Sequence, residues 1–490
     1  MSVIDTLIGT VQQCSPRSSV NLIEAKIAQV PLRLVSLPVE LLTEVLRSLT
    51  WRDLLCLRAT CKYLSDATKT RSVWAHLVDQ HVSSKLRPPL LERPLSMHTA
   101  EELERLLLVW TSADIGWERD DGRAARERSI LVEPAEYLHL IQGGRWLLVT
   151  TDIGQVTYYD LDAEVIEGVQ LIPQQIHKPF DLNQIMMDID IDSSSPTLSF
   201  RIALSVFDRS LDWTGNEATM QVWAVTLLLN GLRAVGLSAT RLALLHHRFT
   251  IVSVMALSLL GPTVAFTAQS NERCLHTFVL KWDQADGDST NYPWRVMNPS
   301  FYKPRIQLLR GNKLFVASRE CMRLFDYSVI NETTHILPSS LSASSCLWTT
   351  SFNTRFTQDI STLNCFFTPN TAQIYMSTSQ CIHSITVESE PFSDEPPPII
   401  KVLDSHRACF FPDQTSLGYT RAIVVDCDHV AWLVRYTAPD KFLRKPLSTS
   451  TLPPVRRVPV MDEESGRVVF PDFIQSRKMT IIDFAVVFMS

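Results

Sequence analysis

From residue 143 onward the chain repeats one plan, a short apolar strand, a tight turn and a second strand. It is plainest in GGRWLLVTTDIGQVTYYDLDA (143–163) and GNKLFVASRECMRLFDYS (311–328), and RIALSVFDRSLDWTGNEATMQVWAVTL, RCLHTFVLKW, TAQIYMSTSQCIHSITV, RAIVVDCDHVAWLVRYT and SGRVVF…MTIIDFAVVF follow it. That makes about seven units, at uneven spacings of roughly forty to sixty residues, the range of stacked or radial repeats. The strands are apolar on both sides, so each sheet needs cover on both faces. A radial ring of small sheets, each wedged between its neighbours, provides that cover and leaves only short edges exposed. A pair of β-sandwiches is the alternative.

One stretch tests this reading. FTIVSVMALSLLGPTVAFTA (249–268) has twenty residues without a charge, enough to cross a bilayer as a helix. Gly261-Pro262 is a turn signal at its centre, and both halves are rich in strand formers. Two buried strands inside the β body are therefore expected, and no membrane span.

The N-terminal region has a different texture. LPVELLTEVLRSLTWRDLLCLRATCKYLSDATKTRSVW (37–74) carries apolar residues at helical spacing. Pro38 suits a first helical position. Leu41, Val45 and Leu49, with Leu42 and Leu46 beside them, form one broad face. Thr50 and Asp53 read as a capping box opening a second helix that carries Leu54, Leu57, Cys61 and Leu64. A third helix, from about Thr70, offers Val73, Trp74, Leu77 and Val78. Three helices of this size bury little surface alone, so such a unit tends to need a partner.

The segment resembles an F-box, position by position, at Leu37, Pro38, Glu40, Leu41, Leu42, Leu49, Asp53, Leu54, Cys61, Lys62 and Trp74. It departs in having Leu64 where many members carry an aromatic residue, and Ala-Thr before Cys61. Its CKYL is similar to F-box proteins of mushroom-forming fungi, which pair the box with a long β-rich tail. The β body in turn resembles a WD40-like propeller with a diverged repeat, since no Gly-His…Trp-Asp pair stands in register. The resemblance implies a substrate receptor of an SCF-type ubiquitin ligase. Leu37, Pro38, Leu41, Leu42, Val45, Leu49, Asp53, Leu54, Leu57, Cys61 and Trp74 would bind the Skp adaptor and, through it, cullin and RING subunits. Leu37, Pro38, Leu41 and Leu54 are expected to be partly exposed. A small helical subdomain that only buries its own core is the plainer reading of the same pattern. A scaffold or sensor that uses the helices for some other assembly, without ubiquitin transfer, is the functional rival, and a propeller enzyme a weaker one.

The expected organisation is α+β and multidomain. A tail (1–34) precedes the three-helix F-box (35–82), a helical linker (83–134) and a propeller-like recognition domain of about seven blades (135–490). Within the linker, Thr99 and Glu102 form a second capping box. Leu103, Leu106, Leu107 and Trp110 share one face there, and residues 114–128 read as a solvated, charged loop.

Target recognition is expected where loops from several blades converge. FDRSLDWTGNE (207–217), DQADGDSTNYPWR (283–295) and SFNTRF (351–356) supply Trp213, Tyr292 and Trp294 as aromatic anchors and Arg295 and Arg355 for an acidic or phosphorylated motif. The same aromatics could instead plug gaps between blades.

Other chemistry finds no foothold. The ten cysteines include no CxxC pair, which fits reduced thiols and no metal site. MDIDIDSSS spaces Asp188, Asp190 and Asp192 like a calcium loop but lacks the required Gly and Glu. Alternation reads instead as acids on an exposed strand face. No GxSxG, GxxxxGK[ST], HExxH or GxGxxG occurs, so no catalytic role and no cofactor are expected. A net charge of −6 without a basic stripe argues against nucleic acid. The first residues lack a basic n-region and carry Asp5, so a cytoplasmic or nuclear location is expected.

Overall fold

The computed structural model describes residues 34–176, 184–207, 218–246, 251–270, 274–285, 292–297, 304–334, 346–351, 360–378, 381–388, 398–405, 410–426, 430–438, 441–447, 458–471 and 477–485. The chain divides into two compact units, one ending at Thr68 and one beginning at Lys69.

The first unit holds α1 (Val39–Arg47), α2 (Trp51–Arg58) and α3 (Lys62–Thr68). The expected cap of α2 is present: the Asp53 amide donates to Thr50 Oγ1 (3.3 Å) and the Thr50 amide to Asp53 Oδ2 (3.2 Å). Both α1 and α2 pack on α3, and Leu42, Leu46, Leu54 and Leu64 are buried. Arg58 Nε donates to Thr68 Oγ1 (3.3 Å), tying the end of α2 to the end of α3.

The second unit is a seven-blade β-propeller with two helices. Every blade is a four-stranded antiparallel sheet. Six blades take their strands consecutively: β2–β5 (first strand Tyr137–Leu140), β6–β9 (Gln184–Ile191), β10–β13 (Ile251–Leu260), β14–β17 (Arg305–Leu309), β18–β21 (Ile360–Phe367) and β22–β25 (Phe410–Leu417). The seventh is composite. Its inner three strands are β26 (Val460–Asp462), β27 (Arg467–Pro471) and β28 (Lys478–Asp483), and β1 (Arg126–Leu131) adds to the outer edge of β28. One blade built from both ends of the β domain closes the ring, so neither end can peel away without unpairing the other.

The ring corrects the expected boundary. β1 begins in the last residues of the stretch read as a charged, solvated loop and runs on to Leu131, starting nine residues ahead of the position where the β body was expected to start. Its Arg-Glu-Arg-Ser sequence hides the strand signal because an outermost edge strand faces solvent and tolerates charge. Arg128 shows what it does there, pairing with buried Asp483 (2.9 Å), which also holds Arg467 (2.6 Å).

Alternation explains the uninterrupted apolar runs. In β3 (Trp146–Thr150), Trp146 and Leu148 enter the core between blades 1 and 2, while Leu147 and Val149 enter the core between blades 7 and 1. Seven such interblade cores follow one another around the ring among the described residues. The uncharged run is a case in point. It forms β10 and β11 (Thr263–Ser270), turning at Gly261 with φ +54°. Val264, Phe266 and Ala268 face blade 2, and Ala265 faces blade 4. No helix among the described residues is long and apolar enough to cross a membrane.

The innermost strands would leave a row of unpaired amides facing the axis. Side chains of adjacent blades satisfy several of them, along with amides of the turns beside them. Asp188 Oδ2 accepts from the Leu259 amide (2.6 Å), Asp190 Oδ2 from Gly261 (2.9 Å) and Gln184 Oε1 from Val254 (3.1 Å), joining blade 2 to blade 3. Ser258 Oγ accepts from Leu308, Glu463 from Tyr419 and Thr420, and Asp462 from Gly143. Asp188 and Asp190 are therefore staples between blades and not part of a solvated strand face, whereas Asp192 stays within its own blade, bonded to Ser194 and paired with Arg201. Enclosure of its carboxyl raises the pKa of Asp188 to about 7.

Helices α4 (Arg71–Ser84) and α5 (Ala100–Glu118) pack side by side, with His81 stacked on Trp110 at 5.6 Å. The third helix expected for the F-box, carrying buried Trp74, thus belongs to the compact unit of the propeller. The Thr99–Glu102 capping box opens α5 as expected. Its far end is pressed into blade 7: a Cβ at Gly116 would lie 2.1 Å from the Phe484 carbonyl oxygen. Trp117 stacks on Phe484 (4.3 Å) and donates to the Glu463 carbonyl (2.8 Å).

Candidate protein-binding surfaces

The first surface lies on α1. The helix is strongly amphipathic, yet its apolar residues are divided between two exposures. Leu42 and Leu46 are fully buried, whereas Val39 and Leu41 are 56% exposed and Val45 is 37% exposed. Pro38 is also exposed, and Leu37 and Leu49 are half-buried. Leu41 and Val45, one turn apart on this helix, gain nothing from water, and an exposed apolar pair of this kind is a candidate contact surface.

The remaining residues expected to meet the adaptor separate by burial. Asp53 is exposed and engaged in its cap, Cys61 is exposed, and Leu57 is half-buried. Leu42, Leu54 and Trp74 are 0% exposed, so they are core residues and not contact residues. For Leu54 this overturns the expectation of partial exposure. Its place in the helical repeat is that of an inward position, which the family match alone did not distinguish from an outward one.

The second surface is a rim of the propeller. In a four-stranded meander the first and third turns lie at one end, while the second turn and the link to the next blade lie at the other. The segment between α4 and α5 runs along the first end. Gln142 donates to the Pro88 carbonyl (3.3 Å), and the Leu198 amide donates to the Glu92 carbonyl (2.8 Å). Glu92 pairs with Arg145 (2.9 Å), Arg93 donates to the Leu232 carbonyl, and Arg87 lies over Phe366 at 4.4 Å. These contacts touch first or third turns of blades 1, 2 and 5, and α5 covers the first turn of blade 7. The opposite end has no such cover among the described residues. It carries a shallow cleft lined by Glu133, Thr151, Asp152, Ile153, Gln174 and Arg477.

Of the residues expected to hold a target, three lie among the described residues. Trp213 and Arg355 lie outside the described residues. Tyr292 and Trp294 are each 2% exposed, set edge-to-face at 5.5 Å within the core between blades 2 and 3. Tyr292 also donates to the His246 carbonyl (2.9 Å). They plug the ring and cannot anchor a target. Arg295 is occupied by Glu332 (2.8 Å) and the Ile330 carbonyl (3.0 Å). An aromatic loop sequence reads the same whether its rings point outward or inward. The path of LRPPLLERP (86–94) across the covered rim depends on partners far off in the chain and was not legible in the sequence.

Residues 34–80 match the F-box-like family model. Among solved structures, the β-propeller domain of Myceliophteria thermophila Cps50 (Swd1) aligns with 73% of this chain and 99% of its own, at 10% identity and a TM-score of 0.47. The CNH domain of AfRom2 aligns with 73% of this chain and 98% of its own, at 11% identity and a TM-score of 0.31. No curated protein matches the sequence. By the family match and by its own seven four-stranded sheets, the chain carries an F-box-like domain followed by a seven-blade propeller.

Proposed function

We propose that this chain is the substrate receptor of an SCF-type ubiquitin ligase, binding a Skp-type adaptor through α1 and a target protein through the propeller. The observation that carries the reading is the division of α1. Its inward leucines complete a core, and its outward Val39, Leu41 and Val45 stay exposed inside a segment that matches the F-box-like family. Pro38, Leu37 and Leu49 border that patch and extend the adaptor contact.

On this reading the receptor needs no covalent chemistry of its own. It holds a target beside a charged ubiquitin carrier, so its contribution is effective concentration and orientation. A stiff closed ring suits that task because it keeps variable loops at fixed positions. The target engages the rim away from the segment 85–99, which the linker leaves uncovered among the described residues. Trp213 and Arg355, outside the described residues, stay candidates for that contact, whereas Tyr292, Trp294 and Arg295 support the ring instead.

The test compares the intact chain with one lacking residues 34–68 in cells, measuring both interactors and their half-lives. Targets should bind both forms, and their half-lives should lengthen when the deleted form replaces the intact one. Unchanged half-lives for every propeller-bound protein would assign the helical unit to an assembly without ubiquitin transfer.

A further inference from the structure

The segment between α4 and α5 crosses the ring at its start. Arg87 lies over Phe366 of blade 5 (4.4 Å), while the next carbonyl, that of Pro88, accepts from Gln142 of blade 1. Blades 1 and 5 face each other across a seven-blade ring, so these two residues span the covered mouth of its central channel. Beyond them the segment is tied to blades 1 and 2 through Glu92 and Arg93. Before them Lys85 pairs with Asp114 of α5 (3.1 Å). No hydrogen bond or ion pair joins residues 85–91 to blade 5 among the described residues, so Arg87 reaches that blade through its ring contact.

Phe366 is a built seat. Tyr375 and Tyr419 meet it edge-on at 5.7 and 5.9 Å and meet each other at 6.2 Å, with all three rings steeply inclined. Tyr375 is buried, and the Tyr419 amide donates to Glu463 (2.8 Å), so the seat is braced from below. The negative face of such a ring attracts a guanidinium, and at a partly exposed site the pair is worth only about a two- to fivefold preference. Arg87 has no carboxylate partner there among the described residues, and its neighbours Leu86 and Pro88 stay exposed. One weakly held side chain fills the seat.

We propose that the covered mouth is a second protein-binding site, closed in this chain by residues 85–88, and that an arginine-bearing segment of a partner opens it by taking the place of Arg87 on Phe366. What the seat already holds selects this occupant. An acidic side chain would meet the negative face of the ring, and a lysine ammonium lacks the planar group that stacks on it. The site lies at the opposite rim from the target surface proposed above, so the two need not compete.

The probe is a fluorescent peptide with the sequence of residues 84–92, SKLRPPLLE, titrated by anisotropy against the full chain. Arg87→Ala empties the seat and should bind the peptide about two- to fivefold more tightly than the wild type does. Phe366→Leu added to that variant should cancel the gain, and so should Glu in place of the peptide's arginine. Hydrogen exchange needs neither peptide nor the Phe366 variant. Amides at 85–87 should exchange about two- to fivefold faster in Arg87→Ala, with those of β18 unchanged. Equal affinity of Arg87→Ala and wild type would overturn the proposal, as would a gain that survives the Glu peptide or Phe366→Leu. Absence of saturable binding to both forms, or unchanged exchange at 85–87, would overturn it as well.

Discussion

At the scale of residues, Leu41 and Leu54 have opposite tasks. Leu41→Asp changes an exposed side chain, so stability should move by no more than about 0.5 kcal/mol while adaptor copurification is lost. Leu54→Asp forces a carboxylate into the core of the small unit and should cost at least about 3 kcal/mol. Urea melts read alongside copurification separate the two, and Leu41→Asp that keeps the adaptor would remove α1 from the interface. Asp188 gives a pH signature. Its carboxyl titrates near 7 when folded, above its ordinary 3.8, because burial disfavours the charge. The folded state therefore holds that proton more tightly than the unfolded chain, and the stability it contributes is present below about pH 4 and lost as pH rises through 7. Asn at this position still accepts from the Leu259 amide and does not titrate. Asp188→Asn should gain on the wild type steadily between about pH 4 and pH 7 in thermal melts and no further above it, and a constant difference across that range would contradict the account.

Elements show where the sequence was sufficient and where it was not. Capping boxes at Thr50 and Thr99 were legible because a cap is a local pattern, complete within four residues. The strands of 249–268 were legible from a turn signal and β-rich flanks. β1 was not, because its partner β28 lies some 350 positions away and its charged outer face masks the alternation. Gly116 belongs to the same class. Inside an isolated helix, Gly→Ala should stabilise by up to about 1 kcal/mol. Here the added methyl would meet the Phe484 carbonyl, so Gly116→Ala should instead lower stability by about 1–3 kcal/mol. The sign of that change, read from melting, decides whether α5 is clamped to blade 7.

At the scale of the whole molecule, the repeat count was readable because seven units each left a strand–turn–strand trace. Which rim would be covered was not readable, since it depends on the path of residues 85–99 across several blades. Closure makes a prediction of its own. A chain beginning at Lys69 keeps β1 and should melt cooperatively, whereas one beginning at residue 135 leaves the edge of β28 open and should aggregate or melt broadly. Cooperative melting of the shorter chain would deny β1 its closing role. The central claim, that the helical unit presents an adaptor surface, is tested most directly by calorimetric titration of a purified Skp-type adaptor into the full chain. The account predicts saturable one-to-one binding that disappears with Leu41→Asp and Val45→Asp together, in a protein that melts as the wild type does. Absence of binding to the wild type, or undiminished binding to the double variant, would contradict it.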